Sequence, residues 1–488
     1  MKRKLIALLF IHSALLAPLP TSRAQKPEAA PLPLTTRDSS QDSSGELPRG
    51  KLIEKVLVKN DPAQSYALYL PSNYTPQKRW PILYGFDPAA RGSLPVERFR
   101  AAAERYGWII AGSNNSRNGP LKPSLAATAA MWDDTHARLS VDSRRVYTTG
   151  FSGGARNAVR VGFLCRDCLA GVIACGAGFP VEIEPSASVP FPVFALAGTN
   201  DFNFPELKRL SELLDKFHVP QRFEVFDGGH EWPTAELCTE AVEWMEIQAM
   251  KSARRPRDEQ LLDQLWTRRT TQARALEDAR KPFAAYRIYR ALSADFEGLR
   301  ETNEQERREA QLRETKEVKR ALEEENSQVR QQQRITGELV ALLDKRQDPD
   351  EGAIAAVDFR RSIADLRKTA RGAEDTGERR VARRVLHQMF ARYYEGALNQ
   401  RERRDNYALA AATLEIAAEI AADNPHVFYE LACTYALNRE RRKALEALKK
   451  AVEKGFDDPA RLDAEEAFKS IQGDAAYKEI LDTLKRKR

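Results

Sequence analysis

Short apolar segments alternate with helix-forming segments between residues 49 and 250, and this alternation constrains the fold more than any other feature. The segments are rich in Val, Ile, Tyr and Phe. They occupy residues 66–71, 80–86, 107–113, 145–151, 170–176, 191–198 and 222–229. Strands that alternate with helices need crossover connections, which predict a mostly parallel sheet covered by helices on both faces. We therefore expect a doubly wound α/β domain over residues 49–250.

The strand-like segments stop after residue 250, and the remaining chain reads as helical. Residues 251–380 are dense in charge, and the few apolar residues between 300 and 334 favour a solvated linking helix over a coiled coil. Residues 381–488 repeat with a period of 34, which resembles the tetratricopeptide repeat. A plain helical bundle is the alternative. The matched positions are Tyr394 and Phe428, Ala410 and Ala444, Leu414 and Leu448, and Ala417 and Ala451.

The N-terminus has the layout of an export signal. Residues 1–24 combine a basic start, a short apolar run and the small-residue cleavage site Ser22-Arg23-Ala24, which predicts a signal peptide and a secreted or periplasmic protein. Residues 25–48 are rich in Pro, Ser and charge, which predicts a disordered linker. Cleavage would lower the formal net charge from +7 to +3, so we expect no nucleic-acid partner. No cysteine follows the apolar run and no later apolar stretch has spanning length, so we expect no stable membrane anchor.

The five cysteines leave the pairing of thiols open. Cys165 and Cys168 have CxxC spacing, but without a second such pair or a nearby histidine they make a poor zinc site. A local disulfide and two ordinary thiols are both compatible with export. The other three lie at positions 175, 238 and 433, and the odd count means that at least one of the five thiols remains unpaired.

A glycine-rich turn at residues 147–158, YTTGFSGGARNA, carries the strongest candidate for chemistry. A strand precedes the turn and a helix follows it, so Ser152 sits at a sharp strand-to-helix turn with its hydroxyl exposed. The N–H of Gly153 at the helix start can then donate to a developing oxyanion. A phosphate-binding loop would need a lysine after the glycines, where Ala155 and Arg156 stand instead. A purely structural turn is the other alternative.

A nucleophilic serine needs a base and a group that orients the base. Of the six histidines, His230 alone follows a predicted strand of the sheet, at the edge where such domains carry their sites. Asp201 ends the preceding apolar strand, which gives the chain order serine, aspartate, histidine. Asp227 is the competitor, but it lies three residues before His230 and more plausibly shapes that turn.

The segment YGFDP, at the end of the predicted strand 80–86, offers the second oxyanion donor. The N–H of Phe86 is the candidate, with Asp87 as the alternative. Trp132, Phe202 and Trp232 are candidates to line a substrate pocket, and core packing is the alternative for each. Few residues separate the predicted strand at 170–176 from the one at 191–198, which predicts an open cleft without a lid.

The set YGFDP, GFSGGA, GTND and GGHEWP resembles the α/β-hydrolase superfamily. Within it, the set is similar to secreted esterases grouped with polyhydroxybutyrate depolymerases and feruloyl esterases. The resemblance implies a serine esterase without metal or cofactor. The expected open cleft suits an ester within a larger molecule. In it Ser152 is the nucleophile, Asp201 the acid and His230 the base.

Two alternatives to this interpretation stay open. One is a serine peptidase of the prolyl-oligopeptidase type, which shares the fold and the triad. The other is a binding protein whose repeats recruit a protein partner and whose hydrolase domain is vestigial. The esterase and the repeat-based binding protein are compatible, since the repeats could locate an active esterase.

Overall fold

The structure is a computed structural model that describes residues 47–165, 167–403 and 406–486. The predicted signal peptide at residues 1–24, and the linker at residues 25–48 except its last two residues, lie outside the described residues. The chain from residue 47 to 251 is the sheet-containing part, and the chain from residue 259 onward is helical.

The described residues form one eight-stranded sheet of order β1-β2-β4-β3-β5-β6-β7-β8. Strands β3 to β8 pair in parallel, whereas β1 with β2 and β2 with β4 pair antiparallel. The mostly parallel sheet and its helical crossovers confirm the predicted doubly wound α/β class, and this strand order is that of the α/β-hydrolase fold. The strands are β1 Leu52–Val58, β2 Asp61–Tyr69, β3 Trp80–Phe86, β4 Ile109–Ser113, β5 Val141–Phe151, β6 Gly171–Cys175, β7 Val193–Gly198 and β8 Gln221–Phe226.

Strands β2 to β8 correspond to the seven apolar segments of the sequence, but β1 was not among them. Strand β1 lies at the edge of the sheet and pairs only with β2, through a ladder with register shifts. Its residues are mostly exposed or half-buried, so lysine and glutamate interrupt the apolar pattern. An edge strand of this kind lacks the continuous apolar run that marks a buried strand.

Five helices cover the two faces of the sheet. Helices α1 and α5 pack on one face, where Phe99 and Met245 belong to a common apolar cluster. Helices α2, α3 and α4 pack on the other face, with Met131, Val159 and Leu207 in the larger cluster. The five are α1 Ser93–Tyr106, α2 Leu121–Arg138, α3 Gly153–Leu164, α4 Phe204–Lys216 and α5 Ala235–Lys251.

The helical part begins at residue 259 and continues to the end of the described chain. It contains a short 3-10 helix, Glu466–Ser470, between its last two α-helices. The α-helices are α6 Glu259–Asp278, α7 Pro282–Phe296, α8 Asn303–Arg313, α9 Lys316–Lys345, α10 Gly352–Ala370, α11 Gly377–Glu402, α12 Tyr407–Ile420, α13 Pro425–Leu437, α14 Arg441–Glu453, α15 Pro459–Ala464 and α16 Ala475–Arg486.

Most of the positions that repeat at a spacing of 34 lie in one apolar cluster of the last helices. Leu414 and Leu448 are fully buried, and Phe428 is nearly so, while Tyr394 packs against the cluster from α11. The alanines at the matched positions are buried between adjacent helices, which lets the helices approach closely. The tetratricopeptide family itself stays a prediction.

The long helix α9 packs against protein along its length, so the prediction of a solvated linking helix is wrong. Val318 is fully buried in a cluster formed with α6 and α7, and Leu322 packs against that cluster. Val329, two turns further on, packs against the core on the α2–α4 face of the sheet. The few apolar residues of α9 do not predict that the helix is packed, because two of its buried residues, Gln328 and Gln332, are polar.

Buried polar contacts fasten the helical part to the sheet part. Asp295 of α7 is 3% exposed and accepts a hydrogen bond of 2.7 Å from the indole N–H of Trp244 in α5. The same carboxylate forms an ion pair with Arg222 of β8, which is 6% exposed. A buried ion pair of this kind holds the two elements in one relative position, because removing either charge leaves the other buried without a partner.

The cysteines divide into one bonded pair and three buried thiols in the described chain. Cys165 and Cys168 form a disulfide directly after α3. Cys175, Cys238 and Cys433 are buried and free. Among the described helices, none is long and apolar enough to cross a bilayer.

Replacing Asp295 with alanine should lower the free energy of unfolding by about 3–5 kcal/mol, because Arg222 and the Trp244 N–H lose a buried partner. Urea unfolding of the full chain measures the change. Asp263→Ala is the control: it removes a carboxylate from the same region that is 70% exposed and pairs with Arg300, and it should cost at most about 1 kcal/mol. Equal effects of the two substitutions would contradict the inferred role of Asp295.

Candidate active site

Ser152 occupies a strained turn between β5 and α3. Its φ of 53° and ψ of −121° lie in a region that side-chain-bearing residues rarely adopt. Its backbone N–H donates to the carbonyl of Cys175 at 2.8 Å, which ties the turn to β6. Its carbonyl accepts from the N–H groups of Ala155 and Arg156 and so starts the helix. The strain projects the hydroxyl away from both elements.

The glycines around Ser152 are required by close backbone contacts. A Cβ on Gly150 would lie 2.2 Å from the backbone of Gly154, and a Cβ on Gly154 would lie 2.1 Å from the carbonyl oxygen of Phe86. A Cβ on Gly153 would lie 1.7 Å from Oδ1 of Asn118. Side chains at these positions would push the turn away from β3 and from the loop after β4.

Ser152, His230 and Asp201 form one hydrogen-bonded chain. Nε2 of His230 is 2.9 Å from Oγ of Ser152, and Nδ1 of His230 is 2.9 Å from Oδ1 of Asp201. A carboxylate only accepts, so Nδ1 carries the proton and Nε2 is free to accept from the serine hydroxyl. The imidazole lies between the rings of Phe151 and Phe202, at centroid distances of 4.6 and 4.2 Å.

Asp201 is held in a dry environment at the end of β7. Its side chain is 1% exposed, and Oδ1 accepts a second hydrogen bond of 2.8 Å from the N–H of Asn203. Burial raises the pKa of Asp201, while the hydrogen bond from His230 acts in the opposite direction. Gly176 (φ 66°) leaves the space for Oδ2, since a Cβ there would lie 3.2 Å from that oxygen.

The other titratable candidates lie elsewhere. Asp227 is exposed and accepts a hydrogen bond from Thr199 at 3.3 Å, so it shapes the loop as expected. His136 lies in α2, as predicted, and contacts the hydroxyl of Tyr84 at 3.2 Å. His387, which the sequence places in the helical part, lies near His230. Burial and the neighbouring His230 lower the pKa of His387.

The segment after β3 lies beside the serine turn. Phe86 is the last residue of β3 and pairs in register with Gly150, and Gly153 opens α3, where no helical carbonyl can accept from its N–H. Asp87 is buried and bonds to Arg91 and to the indole N–H of Trp232, both within 2.9 Å. Burial alone would raise the pKa of Asp87, but these bonds hold it below its ordinary value.

Of the three aromatic residues predicted to line a pocket, the structure brings one to the cavity at Ser152. Phe202 lines that cavity, and Trp132 and Trp232 do not. Trp232 is 5% exposed and packs in the core beside Phe151. Trp132 stacks on the rings of Tyr84 and His136 at centroid distances of 5.0 and 4.9 Å. Packing, the alternative for each, accounts for the positions of both tryptophans.

A helix from the C-terminal part covers the cleft, so the expectation of an open, lidless cleft is wrong. The segment between β6 and β7 holds no helix or strand, as its length implied. The cavity at Ser152 has a volume of about 580 Å³, and its opposite wall is α11. The wall residues are Gln388, Ala391, Arg392, Glu395, Gly396, Leu398, Asn399 and Glu402. Because α11 lies more than 220 residues beyond Ser152, no local pattern in the sequence signals the contact.

Solved structures that resemble this chain are esterases and serine hydrolases of low identity. A ferulic acid esterase is 18% identical, with a TM-score of 0.33, and the match covers 40% of this chain and 96% of that one. Esterase B from Lactobacillus rhamnosis is 15% identical, with a TM-score of 0.34 and coverages of 42% and 87%. The substrate-bound fluorophosphonate-binding serine hydrolase F from Staphylococcus aureus is 14% identical, with a TM-score of 0.32 and coverages of 37% and 92%.

No family model and no curated protein matches this chain. With TM-scores and identities this low, the assignment to the α/β-hydrolase fold stands on the strand order and the crossover connections described above. The polyhydroxybutyrate depolymerase and feruloyl esterase resemblance stays a prediction.

Gly154→Ala should lower the free energy of unfolding by about 1–3 kcal/mol, because the added methyl group meets the carbonyl of Phe86. Gly337→Ala is the matched control, since Gly337 lies within α9 and no described atom is within 4 Å of a Cβ there. That control should leave the protein unchanged or stabilise it by up to about 1 kcal/mol. Urea unfolding measures both, and a neutral Gly154→Ala would contradict the close approach.

Proposed function

We propose that this protein is an exported serine hydrolase that cleaves carboxylic esters through an acyl-enzyme. The observation that carries the proposal is the chain of two 2.9 Å contacts from Ser152 through His230 to Asp201, beginning at a strained serine. A serine hydroxyl is a weak nucleophile until a base accepts its proton, and this arrangement supplies the base and its orienting carboxylate. Export is proposed from residues 1–24 of the sequence.

In the proposed first step, Nε2 of His230 takes the hydroxyl proton as Oγ of Ser152 bonds to the ester carbonyl carbon. Asp201 holds the imidazole and stabilises its positive charge. The N–H groups of Gly153 and Phe86 are the proposed donors to the oxyanion. The intermediate collapses as the carbon–oxygen bond to the alcohol breaks, and His230 returns the proton to the departing oxygen. In the second step, water activated by the same imidazole hydrolyses the acyl-enzyme and restores Ser152.

In the proposed reaction, helix α11 restricts the space in which the substrate and the hydrolytic water reach Ser152. A wall opposite Ser152 limits the volume around the reacting carbonyl, which strengthens the electrostatic interactions there. The aromatic contacts of His230 with Phe151 and Phe202 keep its ring in place for both proton transfers.

Ser152→Ala should abolish hydrolysis of p-nitrophenyl acetate, with kcat/KM falling by about 10⁴-fold or more, because the nucleophile is lost. Labelling by a fluorophosphonate probe should disappear as well. Both are measured on purified protein whose folding is checked by urea unfolding. Labelling that persists in the variant would place the reactive group elsewhere.

Asp201→Asn should lower kcat by about 10³- to 10⁴-fold, because an amide no longer favours the required form of the imidazole. Asp227→Asn is the matched control, an exposed aspartate on the neighbouring loop, and it should retain activity. Comparable losses in the two variants would contradict the assignment of the acid. A parallel assay with an aminoacyl anilide separates esterase from peptidase, and preference for the anilide would favour the peptidase.

A further inference from the structure

The wall opposite Ser152 consists of one face of helix α11. Its lining positions recur at spacings of three and four residues from 388 to 402, which places them along one side of the helix. Val385 and Met389, at the N-terminal end of this stretch, are buried in a cluster with α9 and α10, and Ala397, on the side away from the cavity, is buried in the cluster of the last helices. Helix α11 therefore turns one continuous face toward the cavity while the rest of it is held by packing.

The loop after β7 that carries Asp201, residues 199–203, is here called the acid loop. Its contacts with α11 fix the position of that helix relative to the catalytic residues. Arg384 of α11 is 2% exposed and donates from Nε to the carbonyl of Thr199 at 2.8 Å, two residues before Asp201. Its guanidinium also lies 4.2 Å from the centre of the Phe204 ring. Gln332 of α9 donates to the carbonyl of Phe202 at 2.8 Å and contacts Gln388 at 3.1 Å. Contacts on both sides of Asp201 make the wall a preformed part of the site.

The cavity face of α11 carries mostly polar side chains, with Ala391 and Leu398 as its apolar members, and has room at its centre. Gln388, Asn399, Glu395 and Glu402 present amide and carboxylate groups, and Arg392 adds a positive charge. Because positive and negative side chains share this face, it suits a neutral ligand that forms hydrogen bonds better than an ion of a single charge. Gly396 lies among them, and no described atom is within 4 Å of a Cβ built there.

The facing wall of the sheet part is also equipped for hydrogen bonding. Asn118 and Asn203 line the cavity beside Ser152, and Nδ2 of Asn203 donates to the carbonyl of Gly176 at 2.8 Å. Arg156 also lines it, with its charge already paired to Glu206 at 2.8 and 2.9 Å. Apolar pockets for acyl chains are lined mainly by hydrophobic side chains, unlike this cavity.

We propose that the cavity face of α11 is a binding surface for the substrate, and that it takes a neutral group dense in hydroxyl or amide groups rather than an alkyl chain. This proposal rests on the proposed function for the identity of the scissile bond. It assigns the choice of substrate to the helical part, and Gln388, Asn399 and Gly396 are the residues that set polarity and space.

The test compares two acetate esters of similar size, inositol monoacetate and cyclohexyl acetate, by calorimetric titration of Ser152→Ala. This background leaves the ester intact, so binding is measured without turnover. The polyol ester should bind at least about tenfold more tightly, as expected for two or more additional hydrogen bonds. Tighter or equal binding of cyclohexyl acetate would overturn the proposal.

Two further substitutions in the same background locate the surface. Asn399→Leu should reduce the preference for the polyol ester by about three- to tenfold, through loss of hydrogen bonds to one side chain. Gly396→Leu should weaken binding of both esters by about tenfold or more by filling the cavity. Gly337→Leu is the matched control on α9, where the added side chain meets solvent, and it should leave both affinities unchanged.

The outcomes separate this proposal from the proposed function. If wild-type protein fails to hydrolyse p-nitrophenyl acetate while Ser152→Ala still prefers the polyol ester, the esterase assignment fails and the binding surface stands. If hydrolysis proceeds but neither Gly396→Leu nor Asn399→Leu alters binding, α11 is not a binding surface. Urea unfolding of each variant detects loss of folding, and the milder Asn399→Leu decides the matter if Gly396→Leu does not fold.

Discussion

The candidate site depends on the close approach of two backbones at the turn between β5 and α3. Gly150 and Gly154 lie so near each other and Phe86 that a methyl group at either position would overlap backbone atoms. This approach forces Ser152 to a φ of 53° and lifts its hydroxyl above the sheet edge. His230 and Asp201 reach the same place because β7 and β8 run parallel to β5 and end at the same edge.

A second set of constraints makes the helical part a component of the site. Arg222 and Asp295 join β8 to α7 in a buried ion pair, and Trp244 adds a hydrogen bond from α5. Arg384 bonds the backbone of the acid loop from α11. Each of these charged groups is nearly inaccessible to water, where an unpaired charge is costly, so the contacts hold the two parts in one arrangement.

How far the sequence predicted the structure differs between its two parts. Seven of the eight strands could be predicted because apolar runs and turn signals are local, whereas strand β1 was missed because charged residues break its pattern. Ser152, Asp201 and His230 could be selected because parallel strands bring their carboxyl ends together, and the structure places the three side chains in hydrogen-bond contact. Trp132 and Trp232 illustrate the limit, since an aromatic residue near a site in sequence can equally well pack in the core.

By itself, the sequence determined the α/β class, the serine turn and the order of the three candidate catalytic residues. Those features follow from periodicity, glycine chemistry and the geometry of parallel sheets, all of which operate within short segments. Only the tertiary structure decided that the cleft is covered and that α11 forms its opposite wall. The contacts between α11 and the acid loop join residues more than 180 positions apart. The donors, Arg383 and Arg384, lie in a helix with many charged residues, so the sequence does not distinguish them from surface arginines. Only the packing of the helix shows where they lie.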